Sequence, residues 1–331
     1  MTFKYHNVYL NNVGTVVGKI EHNGPLSRRF DRYYTDFYMH EDSFENAEIH
    51  LMKESVDILL DKVNIKKKDI DLFIAGDLQN QITASSFTAK YMKTPFIGIY
   101  SACATNGEGI ILASNMIDKH LINNALVSVS SHNMVSERQF RNPNEYGGPK
   151  PSSATFTATG GASAFISNIK SEIKIESATL GCVIDMNQVD PNNMGACMAG
   201  AAIDTIYRHL SDLGRTIDYY DLIITGDLGK YGKAIVIDYM KKEYNLDLTK
   251  NYNDCGVMLY DLDSQKEVLA GGSGPVCSAL VLYGDIIPRM KNKKLKRVLY
   301  VPTGALFNPT TVFQKQNILS IAHAISLEVI E

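Results

Sequence analysis

Two stretches of the chain combine a helical pattern with a strand pattern in the same order. Over residues 43–63, apolar side chains recur at the spacing of one helix face, and Ser43 is a suitable first cap. The segment Asp71–Leu78 that follows is a short apolar run closed by Gly-Asp. This pattern predicts a helix packed beside a buried strand that ends in a turn.

The second stretch repeats the first. Asp71–Leu78 recurs as Asp221–Leu228, with six of eight residues identical and a separation of 150 residues. A helical apolar pattern over residues 200–213 precedes the second copy, as the helix of 43–63 precedes the first. We interpret the match as an internal duplication.

The other predicted elements also alternate between strand and helix. Strands are expected at 95–100, 124–130 and 297–301, and helices at 107–121 and 277–290. Strands that are apolar throughout are typical of sheets covered by helices on both faces. The sequence therefore predicts an α/β fold of two similar fused halves, with mixed sheets layered between helices. We place the halves at residues 1–168 and 169–331, with the seam near 168–175.

Composition and charge exclude several classes of protein. The chain has 331 residues, 45% hydrophobic and 21% charged, with a net charge of −3. A nucleic-acid partner is not expected without a basic excess. No apolar run reaches the roughly 20 residues that span a bilayer, and the first residues do not resemble a signal peptide. Five cysteines without a CxxC pair predict a reducing compartment and no zinc site.

Cys103 lies in Ser101–Gly109, the segment that is the best candidate for a reactive or ligand-binding site. It is expected between a strand and a helix, where the free N–H groups of the helix start stabilise a thiolate. The small residues around it leave space for a ligand. A buried, inert cysteine is the equally weighted alternative.

The turn around Cys103, together with the duplication, resembles the thiolase and ketoacyl-synthase superfamily. In those enzymes the corresponding cysteine accepts the acyl group. More narrowly, several segments resemble the stage V sporulation protein AD family of endospore formers: 24–31, 130–132, 137–141, 145–148, 225–229, 302–306 and 321–324. The resemblance implies a thiolase-like fold over nearly the whole chain.

The acid–base partners of the superfamily's cysteine are missing from the matching positions. Strand order places them at 225–227 and 272–275, where the chain offers Gly226 at the first and Ser273 or Gly274 at the second, without a histidine or asparagine. Loss of one acid–base group removes about 10²–10⁴ of rate. Cys103 is therefore predicted to be a vestigial nucleophile in a protein that is not an enzyme. Asp77 and Asp227 are interpreted as turn-forming residues.

The resemblance implies a ligand, dipicolinic acid (pyridine-2,6-dicarboxylate) or its calcium chelate. A helix start suits a carboxylate without any nucleophile. Residues 134–159 are expected to form a lid, and no cofactor or protein-bound metal is expected. The residues predicted to bind the ligand are Cys103, His132, Arg138, Phe140, Arg141, Tyr146, Lys150, Gly226, Ser273 and Gly274.

The resemblance further implies partners and a location. They are membrane proteins of the stage V sporulation A group, with this chain on the cytoplasmic side, peripheral to the forespore and spore inner membrane. There it would serve dipicolinate transport into the spore, with a link to germination. Pairing into a homodimer through a central strand is left open.

Two rival hypotheses stay open at this point. One is an active acyltransferase of the ketoacyl-synthase type that uses Cys103, with His132 as its base. The other is a structural scaffold with a vestigial cavity.

Overall fold

The computed structural model describes residues 1–140 and 150–330. The elements of the first half, in chain order, are β1 (Thr2–Lys4), β2 (Tyr9–Val17), α1 (Lys19–His22), β3 (Arg32–Tyr33), α2 (Phe44–Val63), β4 (Leu72–Gly76), α3 (Thr83–Met92), β5 (Phe96–Gly98), α4 (Thr105–Asp118), β6 (Asn124–Ser131), α5 (Asn133–Phe140), β7 (Phe156–Thr157) and β8 (Gly160–Ser167).

The second half continues with β9 (Ile173–Thr179), β10 (Ile184–Asp185), α6 (Met194–Leu213), β11 (Leu222–Thr225), α7 (Gly229–Tyr244), β12 (Tyr252–Asp254), α8 (Cys255–Met258), β13 (Gly272–Ser273), α9 (Pro275–Val281), α10 (Ile287–Lys291), β14 (Arg297–Val301), β15 (Thr303–Leu306), α11 (Pro309–Phe313), β16 (Leu319–Ala322) and β17 (Ala324–Val329). One π-helical turn, Leu282–Ile286, joins α9 to α10.

Most of the strands form one mixed sheet that runs through both halves. Its order is β12-β11-β14-β17-β9-β2-β8-β6-β4-β5, with β1 on β9 and β3 on β2. The neighbours of β4 and of β11 are parallel, whereas β2 pairs antiparallel with β8 and β9. The two halves meet where Tyr9 and Leu10 of β2 pair with Lys174 and Ile173 of β9.

Helices cover both faces of this sheet. Along β4, Phe73 and Ala75 pack with α2 and α3, whereas Leu72 and Ile74 face the central core that holds α4 and α9. This alternation follows from the two-residue period of a strand. In the second half, α6 and α7 cover the outer face of β11 and β14. The prediction of two similar halves with mixed sheets layered between helices is confirmed.

The first aspartate of each repeated segment makes the same contacts in both halves. Asp71 accepts backbone N–H bonds from the first residue of β6 and the residue before it, at 3.3 and 2.7 Å. Asp221 accepts the same pair of bonds at the start of β14, at 2.9 and 2.6 Å. Each aspartate therefore fixes the start of the strand beside its own, which keeps the parallel pair in register.

Within the described residues, no helix combines the length and apolar character needed to cross a bilayer.

Candidate functional site

Cys103 lies in a tight turn between β5 and α4. Ala102 adopts a left-handed backbone conformation with φ of 51°, which costs energy for a residue with a side chain. The Thr105 hydroxyl supports the turn by donating to the Ala102 carbonyl at 2.6 Å and accepting from the Ser101 N–H at 3.1 Å. The turn aims Cys103, which is only 6% exposed, into the interior at the amino end of α4.

Two residues of the second half meet this thiol. The Ser273 hydroxyl on β13 lies 3.9 Å from the Cys103 sulfur. Ser273 donates to the Asp227 carboxylate at 3.2 Å, and the same carboxylate accepts the Gly274 N–H at 3.0 Å and the Thr303 hydroxyl at 2.9 Å. The described neighbours of the thiol are therefore a hydroxyl group and, bonded to that hydroxyl, a buried carboxyl group.

Electrostatics keep this thiol protonated. Burial raises the pKa of Cys103 well above its usual value, and the Asp227 carboxylate raises it further. Burial also raises the pKa of Asp227 to about 7, and the nearby charge of Asp254 acts in the same direction. The amino end of α4 alone favours a thiolate, but burial and the neighbouring acid outweigh it.

A narrow cavity opens beside the thiol. Its atom-free space, including the part that is open to solvent, is about 490 Å³. Aromatic and hydroxyl-bearing side chains share its wall, and no histidine is among its described lining residues. The lining residues are Leu78, Tyr100, Ala102, Cys103, Ser136, Glu137, Phe140, Thr155, Thr157, Met194, Ser273, Ala305 and Phe307.

Three of the predicted ligand-binding residues line this cavity: Cys103, Phe140 and Ser273. Phe140 also packs edge-on against Phe307, with ring centres 5.6 Å apart. Gly274 follows Ser273 and has a left-handed φ of 97°, which suits a glycine. Gly226 does not line the cavity and packs closely against β15, since a Cβ there would be 2.7 Å from the Thr303 nitrogen.

His132 faces away from the thiol. Its Nε2 bonds to the Phe37 carbonyl at 2.9 Å, and its Nδ1 accepts the Met134 N–H at 3.2 Å. The ring stacks on Phe44, and burial lowers the pKa of His132 to about 4. Both ring nitrogens are thus hydrogen-bonded to backbone groups, and His132 stabilises the chain at the end of β6. It is not among the residues that line the cavity.

The predicted cationic residues divide between the cavity rim and the outer surface. Arg138 is exposed and forms an ion pair with Glu45, outside the cavity. Lys150 forms an ion pair at 2.9 Å with Glu137, which lines the cavity. The helical turn of α5 explains the division, because Glu137 and Phe140 share a face that Arg138 does not. Arg141 and Tyr146 lie outside the described residues.

Asp227 was missing from the predicted site. The one sequence feature that could have identified it is its position directly after Gly226, at the end of the repeated strand. An aspartate after a strand is commonly a turn residue, which is why the pattern alone favoured that role. Asp227 belongs to the site because Ser273 and Thr303, which are distant in sequence, donate hydrogen bonds to its carboxylate.

Solved structures share this fold. The chain superimposes on 3-oxoacyl-[acyl-carrier-protein] synthase III from Aquifex aeolicus VF5 with a TM-score of 0.59, at 12% identity, over 97% of this chain and 99% of that one. Cerulenin-bound OleA of Xanthomonas campestris gives a TM-score of 0.63 at 13% identity, over 99% and 100% of the two chains. The fold is therefore that of the thiolase-like proteins.

Sequence comparison identifies the family within this class. Residues 1–328 match the family Stage V sporulation protein AD (SpoVAD), and the chain belongs to that family. It is 44% identical over 323 residues to stage V sporulation protein AD of Bacillus subtilis (strain 168), covering 98% of this chain and 95% of that protein.

Replacing Asp227 with asparagine should flatten the pH dependence of stability. The pKa of Asp227 is about 7 in the folded protein and about 4 in the unfolded chain. As pH rises from 4 to 7, the unfolded chain releases this proton first, so the free energy of unfolding falls by up to about 4 kcal/mol. Asp227→Asn removes this loss, as measured by urea unfolding across that range.

The control is Asp238→Asn, at an exposed position on α7. It should keep the wild-type slope, because Asp227 is unchanged in this variant. Other buried carboxyl groups with a raised pKa, such as Glu21 and Asp254, contribute to the slope in both variants. Equal slopes in Asp227→Asn and wild type would mean that Asp227 is ionised in the folded protein throughout this range.

Proposed function

We propose that this sporulation-family chain is a non-enzymatic binding protein for dipicolinate or its calcium chelate, and that it serves the movement of this ligand into the developing spore. The cavity beside Cys103 is the proposed binding site. The observation that carries the proposal is the cavity itself, which places a buried thiol among aromatic and hydroxyl-bearing side chains.

The raised pKa of the Cys103 thiol supports the proposal that the chain is not an enzyme. A nucleophilic cysteine needs a lowered pKa or a neighbouring base. Cys103 has a raised pKa, a hydroxyl at 3.9 Å and an acid that is itself half-protonated near neutral pH. The one histidine considered as a substitute base, His132, is held by the backbone at Phe37 and Met134.

An aromatic ligand suits the side chains that line the cavity. Tyr100, Phe140 and Phe307 provide aromatic walls for a ring. The Thr157 hydroxyl can donate to a carboxylate oxygen, and the amino end of α4 favours negative charge there.

The acidic residues of the site favour the calcium chelate over free dipicolinate. Asp227 and Glu137 would repel a dianion, although Lys150 offsets the charge of Glu137. A chelate of calcium and dipicolinate carries no net charge, and its cation accepts further oxygen ligands. We therefore expect calcium to strengthen binding.

Calorimetric titration tests the proposal. Dipicolinate should release heat on saturable binding, with higher affinity when calcium is present. Benzene-1,3-dicarboxylate, which has the same two carboxylates but no ring nitrogen to chelate calcium, should gain nothing from the cation. Binding of acetyl-CoA with hydrolysis or transfer of its acetyl group, without dipicolinate binding, would favour the acyltransferase hypothesis instead.

Two neighbouring cationic residues provide matched variants for this titration. Lys150→Ala removes a cation that lies 2.9 Å from Glu137 at the cavity wall, so affinity for free dipicolinate should fall several-fold. Arg138→Ala removes a cation of the same segment whose partner is Glu45, and should leave affinity unchanged. A larger loss in Arg138→Ala would move the ligand to the outer surface of α5.

A further inference from the structure

One hydroxyl group in the wall of the thiol cavity has no hydrogen bond. Ser136 lies on α5, is 4% exposed and lines the cavity. Its Oγ is buried and has no partner among the described residues, and no other described lining residue has a buried polar side-chain atom in this state. Buried polar groups of native proteins are nearly always hydrogen-bonded, so a water or a ligand is needed to complete the bonding of this hydroxyl.

Other polar groups close to Ser136 are already used within the protein. The Ser273 hydroxyl donates to the Asp227 carboxylate at 3.2 Å, so its proton is not available to a ligand. The backbone N–H of Ser136 donates to the His132 carbonyl at 3.0 Å. The side-chain hydroxyl is therefore the part of Ser136 that can donate to a bound molecule.

Hydrogen bonds at both ends of α5 fix the position of this hydroxyl. At the first end, the Asn133 N–H donates to the Thr159 hydroxyl at 3.0 Å. At the other end, Gln139 Nε2 donates to the Leu78 carbonyl at 2.6 Å, and Gln139 Oε1 accepts the Asn80 N–H at 3.0 Å. A donor that is held in place before binding loses little conformational freedom when a ligand arrives.

Ser136 and Phe140 lie on the same face of α5, because residues four apart are neighbours on a helix. Both line the cavity, where Phe140 is part of the aromatic wall. A ring that packs against Phe140 can therefore place a substituent near Ser136, one helical turn or about 5.4 Å along the axis. Dipicolinate carries a carboxylate on each side of its ring nitrogen, so one of the two can reach this hydroxyl.

The charges beside Ser136 are balanced. Glu137 is the next residue and also lines the cavity, but its carboxylate lies 2.9 Å from the Lys150 Nζ. This ion pair has no net charge, so it opposes an incoming carboxylate less than an unpaired glutamate would.

We propose that Ser136 is a ligand-binding residue whose hydroxyl donates a hydrogen bond to one carboxylate of the bound dicarboxylate. The inference rests on the function proposed above and adds to it the group that receives this carboxylate. The amino end of α4, beside Cys103, remains available to the other carboxylate.

Calorimetric titration and thermal unfolding of Ser136→Ala test this assignment together. In the absence of calcium, affinity for dipicolinate should fall about tenfold or more, because a hydrogen bond to a charged group is lost. The melting temperature should not fall, because alanine replaces a hydroxyl that has no partner in the free protein and also favours the helix.

Ser114→Ala is the matched control. Ser114 lies on α4, and its Oγ is likewise buried and without a hydrogen-bond partner among the described residues, but Ser114 does not line the cavity. This variant should keep the melting temperature and bind dipicolinate like wild type. An equal loss of affinity in both variants would contradict a direct contact between Ser136 and the ligand.

Benzene-1,3-dicarboxylate, which has both carboxylates but no ring nitrogen, shows which group the hydroxyl contacts. Ser136→Ala should weaken binding of this compound and of dipicolinate by the same factor. A loss confined to dipicolinate would assign the hydroxyl to the ring nitrogen and overturn the proposal. A melting temperature several degrees below that of wild type would also overturn it, since the hydroxyl would then be bonded in the free protein.

The titration also separates this inference from the proposed function. Wild-type affinity in Ser136→Ala, with dipicolinate bound by both proteins, would overturn the role of Ser136 and leave the proposed function intact. No binding of dipicolinate by wild type would overturn the proposed function and this inference with it.

Discussion

Replacing Ala305 with phenylalanine is expected to reduce dipicolinate affinity at least a hundredfold, about 2.7 kcal/mol of binding free energy. Ala305 lies on β15, is 4% exposed and lines the thiol cavity. A phenyl ring built there occupies the narrow space that we assign to the ligand ring. Calorimetric titration of the variant measures the loss directly.

Two controls separate a filled cavity from a damaged protein. Added volume in a packed interior costs about 1–3 kcal/mol of stability, so thermal unfolding must show that Ala305→Phe remains folded. Leu306→Phe adds a ring at the next residue of β15, which is not among the residues that line the cavity, and should keep affinity within a few-fold. Full affinity in a folded Ala305→Phe variant would place the ligand elsewhere.

Cys103 is expected to react with iodoacetamide at least about a hundredfold more slowly than Cys182 at neutral pH, because only the thiolate reacts. Burial and Asp227 raise the pKa of Cys103, and burial also blocks access to its sulfur. Cys182 is exposed and serves as the internal control in the same molecule. Peptide mass spectrometry over time gives both rates from one sample.

The same sample can be tested for acyl transfer. After incubation with acetyl-CoA, the mass of the peptide that contains Cys103 should be unchanged. Faster labelling of Cys103 than of Cys182, or an acetyl adduct on Cys103 that disappears as product forms, would mean that the chain retains the chemistry of its fold class.

The sequence predicted the fold where the signal was local. The helix of 43–63 appears as α2, with Ser43 capping it by accepting the Asn46 N–H at 3.2 Å. The repeated strands appear as β4 and β11. The apolar periodicity of each element, and the capping residue of α2, lie in one continuous segment, so the local sequence is enough to predict the element.

Other helices were missed because their support is not local. The start of α7 reads Gly229-Lys-Tyr-Gly, which resembles a loop. The N–H groups of Leu228 and Gly229 are instead satisfied by the Asp254 carboxylate on β12, at 2.9 Å each. A partner 25 residues away in sequence leaves no trace in a local pattern.

The candidate site shows the same limit. Cys103 was found because strand, turn and helix adjoin it, whereas Asp227 and its contacts with Ser273 and Thr303 arise only on folding. Arg138 was assigned to the site from its charge, and the direction of its side chain depends on the face of α5 that packs inward. Residue type indicated the chemistry, and only the packed structure indicates which groups share a cavity.

The most direct test of the account is a crystal structure of the protein grown with dipicolinate and calcium. The account predicts the ligand ring in the cavity between Phe307 and Ser273, with an unmodified Cys103 beside it. A cavity that stays empty at saturating ligand, with dipicolinate absent or bound at another surface, would contradict it.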